Sequence, residues 1–119
     1  MKKLLYFLLC VASVSASAQM ARNPLLIKAE NGNAISQFNL GYCFDRGSCS
    51  GIPQNKEEAI KWYTKSAEQG FEKAQNNLGR CYMEGKGVEK DVEEAKAWIS
   101  RSAKKGYDKA IEYKKKQGW

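Results

Sequence analysis

A segment of this sequence occurs twice, and the repetition constrains the fold more than any other feature. Residues 36–43 (SQFNLGYC) align with residues 74–81 (AQNNLGRC) at an offset of 38. Further on the offset becomes 36, and ten of the 24 positions in 51–74 are identical to their counterparts in 87–110. Repetition at this period predicts an array of similar structural units that stack on one another.

Each copy has the residue spacing of two consecutive helices. In the second copy, small and apolar side chains recur every three to four residues, which places them on one face of a helix. Glycines between the two stretches predict a tight turn, so the helices of one copy should run antiparallel. The two predicted stripes consist of Ala74, Leu78, Cys81 and Tyr82, and of Ala95, Trp98, Ile99, Ser102 and Ala103.

Local signals predict where these helices begin and how closely they pack. Asn55 and Asp91 each precede a pair of glutamates, the pattern of an N-cap followed by an acidic first turn. Gly41 and Gly79 lie inside the first helices, where glycine costs about 1 kcal/mol relative to alanine. The same cost at equivalent positions predicts that a neighbouring helix approaches closely at both glycines.

Partial copies flank the two complete ones. Asn23 and Pro24 have the pattern of a cap and a first helical turn, and they begin a half-repeat helix. Lys114 stands where the second copy has Leu78, so the terminal helix presents a polar face that would end the array. The predicted units are 19–35 (half-repeat helix), 36–73 and 74–109 (full repeats) and 110–119 (end of a capping helix).

The first 18 residues have the pattern of a signal peptide. Lys2 and Lys3 precede an apolar run over residues 4–14, and the small-residue stretch 15–18 ends in an A-x-A cleavage site before Gln19. The run is shorter than the roughly 20 apolar residues that span a bilayer. We therefore expect a bacterial protein that is exported to the periplasm or secreted, with no transmembrane segment after cleavage.

Taken together, these motifs resemble the Sel1-like repeat family, a relative of tetratricopeptide repeats. The resemblance rests on residues 74–82 (AQNNLGRCY) and 85–91 (GKGVEKD), and continues through Trp98 to Gly106. It implies an all-α fold, a right-handed α-solenoid of antiparallel helix pairs with about six helices. It also implies a non-catalytic scaffold that binds a protein or peptide, without naming the partner.

If the first helices line the concave face of such a solenoid, residues opposite the core stripe form the candidate binding surface. A rotation of about 100° per residue identifies that surface in each of the three first helices. Phe38 and Tyr42 have a second interpretation, in which they cover residues 19–26. The candidates are Phe38, Tyr42 and Asp45 in the first copy, Asn76, Arg80 and Met83 in the second, and Glu112 and Lys116 in the terminal helix.

Three cysteines follow the predicted cleavage site. Cys43 and Cys81 occupy equivalent positions on apolar stripes, where each would be a small buried thiol. Cys49 lies in the inserted turn, six residues after Cys43, and in an oxidising compartment the two could instead form a disulfide. Spacing alone leaves both alternatives open.

Little in the sequence indicates catalysis. The absence of histidine excludes Ser-His-Asp triads, Cys-His dyads and His-ligated metal sites. Ser102 and Lys105 match the S-x-x-K motif of penicillin-recognising serine enzymes, but the companion S-D-N and K-T-G motifs are missing from this sequence. We predict no catalytic residue, no metal and no cofactor, with a penicillin-interacting hydrolase as the remote alternative.

Charge adds one further constraint on partners. The formal net charge is +7, and residues 96–119 carry eight basic side chains against two acidic ones. A local excess of positive charge suits the negative end of a helix dipole, and it is only a weak signal for nucleic-acid binding. A protein or peptide is therefore the expected partner, and self-association into a homo-oligomer is the main alternative.

Overall fold

The computed structural model describes residue 20 and residues 23–119. Within this part of the chain the secondary structure consists of six α-helices, as expected for an all-α solenoid. The predicted signal peptide lies outside the described residues. The helices are α1 (Pro24–Glu30), α2 (Ala34–Arg46), α3 (Lys56–Glu68), α4 (Glu72–Glu84), α5 (Val92–Lys104) and α6 (Asp108–Gln117).

The helices stack in chain order. The most extensive contacts join α2 to α3 and α4 to α5, the two pairs predicted from the repeats, and α3 packs on α4 to connect them. Helices α1 and α6 pack on the outer helices α2 and α5. Each helix thus contacts mainly its neighbours in sequence, the arrangement of a helical solenoid. None of the described helices combines the length and apolar content needed to cross a bilayer.

The predicted caps begin the helices as expected. The side chains of Asn23, Asn55 and Asp91 accept hydrogen bonds from backbone N–H groups in the first turns of α1, α3 and α5. Each bond satisfies a donor that has no partner within the helix. Short polar residues therefore set the start of these three helices.

Close approach explains the two glycines inside α2 and α4. A Cβ atom added at Gly41 would lie 2.7 Å from Cδ1 of Tyr63, and one added at Gly79 would lie 2.5 Å from Cγ1 of Ile99. Tyr63 and Ile99 are repeat equivalents in α3 and α5. The sequence-based expectation of tight helix packing at both glycines is confirmed.

Two serines join the pairs in the same way. The buried Ser66 hydroxyl donates to the carbonyl oxygen of Ala34 at 2.7 Å, and the buried Ser102 hydroxyl donates to the carbonyl oxygen of Glu72 at 2.7 Å. Each bond ties the end of one helix to the start of its partner. Ser102 is therefore a structural residue of the repeat.

Two buried glutamines connect successive helix pairs. Gln37 Nε2 donates to the carbonyl oxygen of Ala29 at 3.0 Å, and Gln75 Nε2 donates to that of Ala67 at 3.1 Å. Both acceptors lie near the end of the preceding helix, where carbonyl groups lack intrahelical partners. These glutamines hold α1 against α2 and α3 against α4.

The inserted turn of the first repeat is held by a disulfide. Cys43, near the end of α2, is bonded to Cys49, and the two Cα atoms are 5.3 Å apart. Of the two arrangements compatible with the sequence, the structure has the bonded one. Cys81, the repeat equivalent of Cys43, is a buried free thiol.

Candidate binding cleft

Phe38 and Tyr42 mark the first-repeat part of the predicted surface. The half-buried Phe38 ring packs edge-on against Phe71, with 5.3 Å between ring centroids, and lies tilted against Tyr63 at 5.9 Å. Tyr42 is 41% exposed, and its ring lies beneath the guanidinium of Arg46 at 5.4 Å. Phe38 therefore contributes mainly to packing between α2, α3 and the start of α4, whereas Tyr42 is available for contact.

Asn76 does not lie on an accessible face, and its assignment to the binding surface is wrong. Its residue surface is only 2% exposed, and Oδ1 has no hydrogen-bond partner. The sequence-based prediction treated α4 as a helix with one buried face and one solvent-exposed face. Because α4 packs against both α3 and α5, a position outside the apolar stripe is buried as well.

The other predicted residues separate into two groups. Asp45 and Arg80 line the same cleft. Met83 is half-buried, and Glu112 and Lys116 are exposed on α6; none of these three lines that cleft. The structure thus brings together only part of the surface predicted from helical spacing.

The cleft has a volume of about 380 Å³ and lies where the two repeats meet. Sequence reasoning missed most of its lining, because the residues come from helix ends and turns as well as from helix faces. The first repeat contributes Asp45, Arg46, Gln54 and Lys56. The second contributes Asn77, Arg80, Cys81, Glu84 and Lys86.

A polar network forms one wall of the cleft. Lys56 Nζ donates to Asp45 Oδ1 at 2.6 Å and to the Asp45 carbonyl oxygen at 2.8 Å, and Gln54 Nε2 donates to the same carbonyl at 3.0 Å. The buried Tyr63 hydroxyl donates to Asp45 Oδ2 at 3.2 Å and accepts from Asn77 Nδ2 at 3.4 Å. The network therefore joins α2, α3 and α4.

Burial also raises the pKa of two side chains at this site. Desolvation, followed by the nearby charge of Asp45, raises the pKa of Tyr63 far above its usual 10.0. The same two causes raise the pKa of Cys81 from 9.0 to about 11. Both groups are thus neutral near pH 7: Tyr63 stays a hydrogen-bond donor, and Cys81 is a poor nucleophile.

Cations outnumber anions in the cleft. Glu84 Oε2 lies 2.7 Å from Lys86 Nζ, and Glu84 Oε1 lies 3.9 Å from Arg80 Nη2. The hydrogen bond to Glu84 raises the pKa of Lys86. Arg46 and Lys56 are the other two cations of the lining, and Asp45 is its other anion. The lining therefore carries four positive and two negative side chains. The cleft is therefore positively charged near pH 7.

The polar network is specific to the first repeat. At the equivalent positions of the second repeat, Asp45 is replaced by Met83, Lys56 by Val92 and Tyr63 by Ile99. The glycines, serines and glutamines that build the solenoid are shared by both repeats, so the network is not needed to form a helix pair. This departure between copies is the sequence signal that could have identified the cleft.

The described residues offer little for catalysis. Ser102 is fully buried and its hydroxyl donates to a backbone carbonyl, so a substrate has no access to it. Among residues 20 and 23–119, no three His, Cys, Asp or Glu side chains converge in a group that could hold a metal ion.

Comparison with known proteins identifies the repeat. The Sel1 repeat family model matches twice, at residues 34–71 and 72–107. DAP3-binding cell death enhancer 1 of Rattus norvegicus is 44% identical over 60 residues, which are 50% of this chain and 11% of the relative. A putative sel1-like repeat-containing protein of Acanthamoeba polyphaga mimivirus is 43% identical over 63 residues, 53% of this chain and 11% of the relative. The match thus spans about a tenth of each curated relative.

Solved structures have the same architecture. A Sel1 repeat protein from Oxalobacter formigenes superposes with a TM-score of 0.73 and 32% identity, covering 78% of this chain and 26% of the other. A protective antigen of uropathogenic Escherichia coli with an SLR fold superposes with a TM-score of 0.68 and 33% identity, covering 76% and 20%. In both cases this chain corresponds to about a quarter or less of the other chain.

Proposed function

The chain belongs to the Sel1 repeat family, and we propose that it is an exported, non-catalytic module that binds a protein or peptide at the junction of its two repeats. The observation that carries this proposal is the cleft between α2 and α4. Its polar network is absent from the second repeat, although both repeats share the residues that build the fold. Side chains that vary within a constant scaffold are the ones available for recognition.

The rim of the cleft, defined as the lining residues Arg46 and Arg80 together with Tyr42 beside Arg46, has the residue types that dominate protein interfaces. Tyr42 is exposed beside Arg46, and the side chain of Arg80 is half-exposed on the opposite helix. Tyrosine and arginine are enriched among residues that contribute most to binding energy. Tyr42 and Arg80, both predicted from the sequence, are therefore the central contact residues in this proposal.

Export is supported by the pattern of residues 1–18 and by the Cys43–Cys49 disulfide. Disulfides persist in oxidising compartments and are rare in the cytosol. A bonded pair in the turn next to the cleft suits a protein that works in the periplasm or outside the cell.

Site-specific photo-crosslinking in the producing cells tests this function. A photoreactive phenylalanine analogue at position 42 should give an adduct of defined mass with one partner protein. The same analogue at the exposed position 61 of α3 is the matched control and should give none. The adduct at position 42 should be lost when Arg80 is replaced by alanine.

Three outcomes would contradict the proposal. Identical adducts from positions 42 and 61 would mean that the cleft has no special role. An adduct of twice the chain mass would favour self-association instead. No adduct at position 42 under conditions where the chain is expressed and folded would exclude a partner at this rim.

A further inference from the structure

We propose that the cleft selects an acidic segment of its partner, whose carboxylates pair with the guanidinium groups of Arg46 and Arg80. This inference rests on the peptide-binding function proposed above and specifies the chemistry of the partner. It follows from the distribution of charge within the cleft, from its volume and from the comparison of the two repeats.

The two acidic side chains of the cleft are already engaged. Both oxygens of Asp45 accept hydrogen bonds, one from Lys56 and one from Tyr63, and its side chain is only 16% exposed. Glu84 is paired at 2.7 Å with Lys86. Asp45 is therefore fully engaged, and Glu84 keeps only Oε1, which lies 3.9 Å from Arg80 Nη2.

The two arginines have no such close partner among the described residues. Arg80 is 3.9 Å from Glu84, beyond the 2.7–2.9 Å of a charge-assisted hydrogen bond, and Arg46 lies over the Tyr42 ring. A guanidinium has five N–H donors in a planar fork that fits a carboxylate with two parallel bonds. Both arginines thus present unused donors to the same cleft.

The shape of the cleft favours a peptide segment over a flat surface. A volume of about 380 Å³ lies within the range of sites that enclose small ligands, large enough for a few side chains. The polar network holds Asp45 and Lys56 in place, so the wall is formed before the partner arrives. Preorganised walls reduce the entropy lost on binding.

The repeat comparison explains why the site occurs once. Arg46 has Glu84 as its counterpart in the second repeat, and Lys56 has Val92. The equivalent position between α4 and α6 therefore lacks two of the cations. A site selective for acidic segments is therefore predicted at the junction of the two repeats and not beyond it.

Fluorescence anisotropy with two peptide pools tests the inference on the purified chain. Both pools consist of labelled octapeptides that share four randomised positions. The other four positions are glutamate in one pool and glutamine in the other, which is nearly isosteric but uncharged. At about 50 mM salt we expect the glutamate pool to bind at least about tenfold more tightly, and the preference to decrease at higher salt.

Arginine variants assign the preference to the cleft. In the Arg46→Gln, Arg80→Gln double variant the two pools should bind within about twofold of each other. Arg101→Gln is the matched control, because Arg101 is exposed on α5 over Trp98 and does not line the cleft. The preference for glutamate should survive in that variant, and circular dichroism should show that all variants are folded.

The outcomes separate this inference from the proposed function. If both pools bind equally and replacement of Tyr42 by alanine weakens both, the chain binds peptides but does not select acidic ones. If the preference persists without Arg46 and Arg80, or falls equally in Arg101→Gln, the attraction comes from the overall positive charge and the inference is wrong. If neither pool binds, both the inference and the peptide-binding function are contradicted for segments of this length.

Discussion

The backbone of Gly79 lies directly against the side chain of Ile99, so that a methyl group added at the glycine would come within 2.5 Å of Ile99 Cγ1 and 3.0 Å of the Ala95 carbonyl oxygen. The same relationship joins Gly41 to Tyr63 in the first repeat. Helix propensity and packing therefore act in opposite directions at these positions. Alanine would favour the isolated helix, but it would push α4 away from α5.

Replacement of Gly79 by alanine should lower the free energy of unfolding by about 1–3 kcal/mol, the usual cost of overpacking. Urea unfolding followed by circular dichroism measures this change. Lys73→Ala, at an exposed position of α4, is the control and should change stability by less than about 0.5 kcal/mol. In an Ile99→Ala background the cost of Gly79→Ala should shrink, because the clashing atom is gone. A stabilising Gly79→Ala would show that the helices do not pack closely there.

Ser102→Ala should lower the free energy of unfolding by about 1 kcal/mol, because the hydrogen bond to the Glu72 carbonyl is lost. Ser66→Ala should have a similar effect, since Ser66 makes the equivalent bond to Ala34. The native chain should not be labelled by a fluorescent penicillin, as Ser102 is fully buried. Covalent labelling that disappears in Ser102→Ala would instead support the hydrolase alternative.

Loss of the Cys43–Cys49 bond should destabilise the chain by about 2 kcal/mol, since a short disulfide loop restricts the unfolded state. Cys49→Ser tests this by chemical denaturation without reductant. Addition of dithiothreitol should lower the stability of the native sequence towards that of the variant while leaving Cys49→Ser itself nearly unchanged. An unchanged unfolding midpoint for Cys49→Ser would contradict the expected contribution of the bond.

Cys81 should react slowly with iodoacetamide at pH 8, because burial raises its pKa to about 11 and only the thiolate is nucleophilic. The folded chain should reach half of its maximal rate only near pH 11, whereas the unfolded chain should reach half of its maximal rate near pH 9. Mass spectrometry after timed quenching gives both rates. Fast reaction of the folded chain at pH 8 would show that the thiol is accessible.

The same shift predicts a pH dependence of stability. A folded-state pKa above the unfolded value means that the contribution is fully present below about pH 9 and is lost as the pH rises through about 11. Cys81→Ala should therefore lose less stability than the native sequence between pH 9 and pH 11. Equal losses would assign the alkaline destabilisation to other groups, such as Tyr63, whose pKa is also raised.

The sequence by itself determined the repeat architecture, the helix caps and the close approach at Gly41 and Gly79. These features are visible because they depend on local spacing or on residues that recur at equivalent positions. Asn55 and Asp91 cap helices through bonds to residues three positions away, and such contacts are encoded within one turn. Because these residues recur at equivalent positions of both copies, the repeat shows which of them the fold requires.

Only the tertiary structure decided which side chains form the cleft. Tyr63 reaches Asp45 across 18 residues of sequence and Lys56 reaches it across 11, so their contacts depend on how α2, α3 and the connecting turn pack. Asn76 was misplaced for the same reason, because a helical wheel contains no information about a second neighbouring helix. The physical distinction is between interactions within a helix, which periodicity reports, and interactions between helices, which depend on the position of every neighbour.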